Sequence, residues 1–318
     1  LPPPLFSIAV TSYNRDGIVQ RCIDSCFAQS FEDFEVIVVD DASTDATVES
    51  LRAYSDPRLW VVVHDENRGI NSGRHTGVAH ASGRWVVVVD SDWELLPHTL
   101  ERLAELIAEL PADVRVIRSQ LVWDDGRVTP AFMPPSPIDY EGRIRWVEEE
   151  GGWDAGRCVD RRVFDETPYI LDRRGAMEGL WELSLARREK TLCVEEVLGK
   201  EHDDAANSWL RSTDRSLIPR LLKEAPDMLW MAETTLAEHG EALRRWGPKQ
   251  YAMYARIGAS QAFLLGQRRK GLRLALRALR VRPFDPMTVG TLCIGIWGPQ
   301  AAARGVLAFR RLNAWRAG

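Results

Sequence analysis

The chain has 318 residues, 45% of them hydrophobic and 27% charged, with a net charge of -5, enough for one large domain or one domain with an appendage. Its five cysteines form no Cys-x-x-Cys pair, so neither a disulfide framework nor a zinc site is expected, and a reducing cytoplasm is the expected compartment. No run of about 18 apolar residues is present to span a membrane, and the first residues show no signal-peptide pattern. Charge is unevenly spread. From Glu241 to Gly318 there are 15 Lys and Arg against two acids, Glu241 and Asp285, a balance of +13 that leaves -18 for the first 240 residues. An acidic front and a basic tail suit different partners.

Leu5–Val10 reads as a short apolar strand, followed by Thr11-Ser12-Tyr13-Asn14-Arg15. Ile18–Ala28 has helical periodicity, with Cys22 and Cys26 one turn apart as core packing residues. Phe34–Asp40, FEVIVVD, reads as a buried strand ending in Asp41-Ala42-Ser43-Thr44-Asp45. Ser43 or Thr44 is placed there to cap a helix running through Tyr54. Leu59–Val63 is a third strand. Asn67-Arg68-Gly69 then breaks the chain, and Ile70–Ala81 reads as a helix with several small residues. The next stretch, Trp85–Glu94, is WVVVVDSDWE. Four valines in a row make a strand buried on both faces, and it runs into Asp90-Ser91-Asp92. Residues i and i+2 of a strand share a side, and two carboxylates at the end of a buried strand are costly without a positive partner. A divalent cation with oxygen ligands, arriving with phosphate, is one such partner. The other reading is an N-cap for a helix starting near Pro97.

Pro97–Leu110 reads as an amphipathic helix and Val114–Trp123 as a strand. Asp124–Gly152, with its prolines and acids, reads as a long loop region with hairpin elements, of the kind that holds substrate. A short helix over Met177–Arg188 and a strand over Thr191–Leu198 follow. Strands alternating with helices mean an α/β domain with a mostly parallel sheet. Such sheets bind ligands at the carboxyl ends of their strands, where every polar cluster named above falls. From Asn207 onward the patterns are helical only. Gln250–Gln267 and Lys270–Arg282 look like an antiparallel pair resembling a single tetratricopeptide-type hairpin, one unit and not an array. The division expected is therefore a domain over 1–206 and a basic helical region over 207–318.

Four ordered stretches carry a family resemblance: SIAVTSYNR, FEVIVVDDASTD, ENRGINSGRHTGVAHASGRWVVVVDSDWELLP, and the looser FDE…MEGLWELSLAR…EHDDAANS. From about Pro4 to Ser208 the chain resembles a GT-A glycosyltransferase of family 2. That resemblance implies a Rossmann-like α/β sheet flanked by helices, with the helical tail as an appendage. Thr11 and Tyr13 would line the nucleotide base, Tyr13 by stacking. Asp41 would accept the N3–H of uracil, and Asp40 would support the turn or the ribose. An acceptor carboxylate beside an aromatic makes a sensible base pocket. Turn and cap chemistry is the other reading of both acids, and an ordinary loop aromatic that of Tyr13. Arg15 pairs with phosphate or lies on the surface. Arg74 contacts the nucleotide, since a guanidinium suits phosphate or a base edge, or it is a helix-surface charge. His75 receives no role.

By the same resemblance Asp92 is the direct ligand of a Mn²⁺ or Mg²⁺ ion. Asp90, with Ser91 beside it, faces the ribose or the metal. The ion would bridge the diphosphate and stabilise charge on the departing nucleotide. Glu94 reads as a helix N-terminal charge. His202 reads as a further metal or phosphate ligand, or as a structural histidine. The general base, a carboxylate beside the acceptor hydroxyl, is written Glu-Asp-x-Glu-Leu in the family. Here the text is Met177-Glu178-Gly179-Leu180-Trp181-Glu182-Leu183. Glu178 is the choice and Glu182 the alternative, one helical turn apart.

In the tail, Leu272, Leu276 and Leu279 share a helical face, with Arg273, Arg277 and Arg280 on an adjacent one. Three readings stand: peripheral contact with an anionic bilayer, a phosphate-bearing acceptor such as a lipid-linked glycan, or leucines buried in a helical pair beneath solvated arginines. Nucleic acid is not expected. The function expected is metal-dependent inverting transfer of a sugar, from a UDP-linked donor, to a hydroxyl of a glycan, lipid-linked glycan or glycosylated natural product of the bacterial cell envelope, by a monomer or homo-oligomer. A nucleotide-binding but inactive assembly subunit and a nucleotidyltransferase are the alternatives.

Overall fold

The computed structural model describes residues 2–151, 155–171, 173, 177–203, 217–295, 297–299, 301–303 and 305. The expected boundary at 206/207 and the Asp204–Ser208 part of the last motif lie outside them. The chain forms two compact units that interleave along the sequence. One comprises Leu1–Trp146, Glu150–Asp172 and Ser184–Ala205, the other Val147–Glu149, Arg173–Leu183 and Ala206–Gly318.

The first unit is built on one sheet. Its strands are β1 (Phe6–Ser12), β2 (Phe34–Asp40), β3 (Leu59–Val63), β4 (Trp85–Asp90), β5 (Trp93–Leu95), β6 (Val114–Trp123), β7 (Val128–Thr129), β8 (Gly156–Asp160) and β9 (Lys190–Glu201). The order is β3-β2-β1-β4-β8-β6-β9-β5, with β7 on β6. The half β3-β2-β1-β4 is parallel. The other half is mixed, because β8 runs antiparallel to both β4 and β6 while β6 and β9 are parallel. Apolar runs such as Val86–Val89 are buried on both faces because helices cover the sheet. The helices of the parallel half are α1 (Val19–Phe27), α2 (Thr47–Arg52), α3 (Ile70–His80) and α4 (Thr99–Glu109). Phe6, Ile8 and Val10 of β1, Val87 and Val89 of β4, and Cys22, Ile23 and Cys26 of α1 belong to one buried cluster, so both thiols pack in the core as expected.

Several expectations need correction. Ser43 does not cap α2, whose N-cap is Ala46 with no side-chain bond; Ser43 turns back to Asp40 instead. Neither Asp90 nor Asp92 caps α4, whose N-cap is His98. Asp124–Gly152 is not a loop with hairpins alone. After the short β6–β7 hairpin it forms the helix α5 (Tyr140–Glu150), whose Ile144, Trp146 and Val147 are buried. Strands β5 and β8 and the helix α6 (Arg162–Glu166) were also not expected. They are three to five residues long, and such runs carry almost no periodicity of their own.

Helix α7 (Glu178–Ala186) is shared between the two units. The second unit also holds α8 (Leu217–Glu238), α9 (Gly240–Trp246), α10 (Pro248–Leu264), α11 (Arg268–Val281) and α12 (Pro286–Gly295). The pair α10–α11 is the hairpin the periodicity indicates, turning at Gly266 with φ 73°. Small residues on α10 let its neighbours approach: a Cβ on Gly258 would lie 3.1 Å from Leu274 of α11 and 3.3 Å from Ala232 of α8. The buried face of α11 is Gly271, Leu274, Ala275 and Ala278. Leu272 and Leu276 are exposed, so the leucine stripe is not what seals the hairpin.

Candidate functional site

Parallel register brings three strand ends into line. Ser12 pairs with Asp40 across β1–β2, and Thr11 with Asp90 across β1–β4. The loops leaving β1 and β2 are tied to each other. Asn14, at φ 52°, donates its backbone N–H to Ser43 Oγ at 2.8 Å, and its Oδ1 accepts the Thr44 N–H at 2.8 Å. Asparagine tolerates that left-handed backbone better than most residues. Arg15 N–H donates to Thr47 Oγ1 at 2.8 Å, and the rest of Arg15 is half-buried. Tyr13 stands out of this clamped loop with 41% of its surface exposed. A ring held at its backbone and free at its face can stack on a base.

The two acids after β2 differ in role. Asp40 is fully buried and takes both the N–H and the Oγ–H of Ser43, at 2.8 and 2.5 Å. This is the turn chemistry of the two readings given for it. Asp41 is also buried. Its Oδ1 faces His64 Nδ1 at 2.8 Å and accepts the Arg68 N–H at 2.9 Å, while Oδ2 accepts the Gly69 N–H at 2.7 Å. Three of roughly four lone-pair sites of the carboxylate are thus used within the chain. His64 was not singled out from sequence. It follows β3 directly, and its Nε2 lies 2.9 Å from Thr76 Oγ1 on α3, so it links Asp41 to the helix that carries Arg74. The one signal for it was a polar residue at the end of an apolar strand.

Helix α3 sits close against β1 because Gly73 and Gly77 face it. A Cβ on Gly73 would lie 3.0 Å from Thr11 Cγ2, and one on Gly77 3.2 Å from Ala9 Cβ. That approach sets Arg74, itself buried, beside the end of β4. Arg74 Nη2 donates to both Asp90 oxygens at 2.9 and 3.1 Å. Arg74 is therefore not a surface charge, and Asp90 is paired within the chain. Ser91 is buried, and Asp92 is half-exposed at the turn into β5. From below, Cys22 of α1 donates its thiol to the Asp90 carbonyl at 3.7 Å. The Cys22 thiol is pushed well above its ordinary pKa by the bond from Cys26, by burial and by the charges of Asp92 and Asp90. Both carboxylates thus act on a thiol within α1.

The turn is held on its far side by β9. Trp93 pairs with Glu201, and His202 donates its backbone N–H to the Asp92 carbonyl at 3.1 Å. The His202 ring lies between two acids, Nε2 against Glu94 Oε1 and Nδ1 against Asp124 Oδ1 at 2.8 Å. Glu94 is accordingly a strand residue that holds His202, not a helix N-terminal charge. The Lys200 ammonium, against the opposing effect of burial and helped by the Asp203 N–H and His202, holds Asp124 below the usual carboxylate range. Among the described residues no group of three or more His, Cys, Asp and Glu is arranged to hold a metal ion. An ion here would take one or two carboxylates from the chain and its remaining ligands from phosphate and water, the usual habit of Mg²⁺. Asp90 and Asp92, both partly exposed, are the carboxylates at this turn.

Glu178 and Glu182 lie one turn apart on α7, Glu178 half-buried and Glu182 buried. They group with the second compact unit, whereas Thr11, Tyr13, Asp41, Arg74, Asp90 and Asp92 group with the first.

The model of a family described as glycosyl transferase family 2 matches residues 7–166. Among curated proteins, a succinoglycan biosynthesis protein, ExoO of Rhizobium meliloti, is 38% identical over 124 residues, covering 39% of this chain and 36% of that protein. The chain thus spans little more than a third of that relative's length. Two solved structures share the fold. TarS of S. aureus in complex with UDP-GlcNAc aligns over 98% of this chain and 92% of its own, at a TM-score of 0.58 and 17% identity. A mannosyltransferase of Pyrobaculum calidifontis in complex with GDP-Man and Mn²⁺ aligns over 98% and 87%, at a TM-score of 0.53 and 18% identity.

Proposed function

The chain belongs to glycosyl transferase family 2, and from that premise we propose that it moves a sugar from a nucleotide diphosphate donor, UDP-linked, to a hydroxyl of an extracellular or envelope glycan, with inversion and with a divalent cation. The observation that carries the reading is the carboxyl edge of β1, β2 and β4. There Arg74 pairs with Asp90, Asp92 follows two residues on, and Tyr13 follows the end of the neighbouring β1, on a backbone tied down by Asn14, His64 and Cys22. A succinoglycan protein among the relatives supports the glycan acceptor. The complexes of the fold neighbours support a nucleotide-sugar donor and a divalent ion.

In this reading Tyr13 stacks on the base and Thr11 packs at its edge. Asp41 has one acceptor site left for a base N–H, and its other bonds hold it still while it offers that site. Arg74 orients Asp90 toward the ribose, and Arg15 is within the same loop for phosphate. A Mn²⁺ or Mg²⁺ ion on Asp92 would supply charge stabilisation for the leaving diphosphate. His202, proposed as a ligand, would have to exchange its Glu94 or Asp124 contact to reach the ion. Glu178 takes the proton of the acceptor hydroxyl, with Glu182 as the second choice. The domain over 1–206 binds the donor, and 207–318 serves another contact.

The test is thermal stability with UDP, GDP and their sugars, with and without Mn²⁺. A ligand at about a hundredfold over its Kd adds roughly 2.7 kcal/mol, or about 5–10 °C for a domain of this size. We expect UDP to raise Tm only with metal, and Asp92→Ala to abolish the rise. Glu178→Gln is expected to keep the donor shift and lose transfer by at least about 100-fold, the range of general-base removal. If Glu178→Gln transfers normally while Glu182→Gln does not, the base assignment moves. If the wild-type chain binds donor and never transfers, it is the inactive subunit.

A further inference from the structure

On α11 the face opposite the hairpin contact is occupied by Arg269, Arg273, Arg277 and Arg280, with Leu272 and Leu276 along its shoulder at 37% and 49% exposure. Those four guanidinium groups make no ion pair or side-chain hydrogen bond with any described residue; only Lys270, on the inner side, pairs with Glu233. Neither α11 nor α12 contains an acid, and Asp285 between them is engaged by Thr288. An exposed aromatic stands at each end of the helix. Phe284 follows its C-terminus at 91% exposure, with φ 68°. Trp297, at 82% exposure, adjoins Gly298, which lies against Arg268 at the N-terminus.

We propose that this face of α11, with Phe284 and Trp297, is a docking surface for an anionic lipid bilayer. The chemistry selects that occupant. Unpaired arginines are attracted to the negative surface of a membrane, and exposed leucine and aromatic side chains gain from the apolar layer just beneath it. A soluble polyanion would satisfy the arginines and leave Phe284 and Trp297 in water. A second copy of the same face would bring like charges together. The helix lies on the surface and does not cross it. Its 14 residues span only about 21 Å, its other side is committed to α10, and no described helix is long and apolar enough to cross a membrane. The proposal does not depend on the donor site.

The experiment is flotation of the full chain with vesicles of phosphatidylcholine alone and with one-third phosphatidylglycerol, at low and high salt. The wild-type chain should float only with the anionic vesicles and be released by salt. R273Q/R277Q/R280Q should lower partition by roughly a hundredfold, about fivefold per arginine. F284S/W297S, which keeps every charge, should lower it by at least about tenfold. An unchanged thermal unfolding transition in both variants shows that they are folded, and the nucleotide-dependent Tm shift of the wild type reports on the donor reading separately. No flotation with anionic vesicles, or equal flotation with neutral ones, overturns the proposal. So does normal vesicle binding by F284S/W297S, which would mean the surface reads a polyanion, and so does self-association of the chain in place of vesicle binding.

Discussion

At the scale of single residues, the candidate site depends on side chains whose first task is to hold other side chains. His64 is the clearest case. Its two ring nitrogens meet Asp41 and Thr76, and the residues it joins are 23 and 12 positions away. Removing the ring leaves a buried carboxylate and a hydroxyl each short of a partner, and such groups cost about 1–3 kcal/mol apiece. His64→Ala should therefore lower stability by roughly 2–4 kcal/mol, and Thr76→Val, which breaks one bond, by about 1 kcal/mol. Urea unfolding measures both; equal losses would mean the Nε2–Thr76 bond contributes as much as the whole imidazole. Asp90 and Asp92 were legible because a valine run and two acids are adjacent in the text. The link from His64 to Asp41 was not, since nothing local in VVVHDENRG names its partner. The same holds for Glu94 and His202, 108 positions apart. Glu94 looked like a charge at a helix start because the intervening strand, β5, is only three residues long.

At the scale of elements, what positions the site is close approach and cross-bracing. Glycines at 73 and 77 let α3 lie on β1, and Gly83 continues the contact: a Cβ there would be 2.7 Å from the backbone of Phe6 and Ser7. Across the sheet, α4 is fastened to β9 by Arg102, which donates from Nε and Nη2 to the two Glu196 oxygens at 2.8 Å each. The Arg102 bond, outweighing the cost of burial, holds Glu196 below the ordinary glutamate range. A carboxyl whose folded pKa is depressed stabilises the fold above its unfolded value, and the effect fades as pH falls through the lower folded value. Both side chains are more than a third exposed, so solvent screening limits the gain to roughly 0.5 kcal/mol. Glu196→Gln should thus lower Tm slightly at neutral pH, and the difference should begin to shrink as pH falls below the free glutamate value of about 4.3 and vanish once it passes the lower folded value. A Tm deficit that persists undiminished at low pH would mean the loss is one of packing.

At the scale of the whole molecule, the dominant fact is charge: -18 over the first 240 residues and +13 over the last 78. A uniform chain of net charge -5 would pass through a sulfonate resin at neutral pH. This one should be retained at low salt and elute as the screening length shrinks from about 10 Å toward 3 Å between 0.1 and 1 M. Flow-through at low salt would show that the basic tail is neutralised within the protein. The division of labour follows the text closely in some respects. Alternating apolar strands and amphipathic helices, the order of SYNR, DDAS and DSD, and the polar clusters at strand ends are local patterns, and the sequence by itself determined them because hydrophobic period and turn chemistry act over a few residues. Which carboxylate is spent was decided only in three dimensions. Asp41 is held by His64 and by the N–H groups of Arg68 and Gly69, and Asp90 by Arg74. The leucines of α11 illustrate the same limit: a helical stripe is written in the sequence, but whether Leu274 or Leu272 is buried depends on where Gly258 and Phe263 of the neighbouring helix leave room, because packing between elements is not encoded in the period of either one.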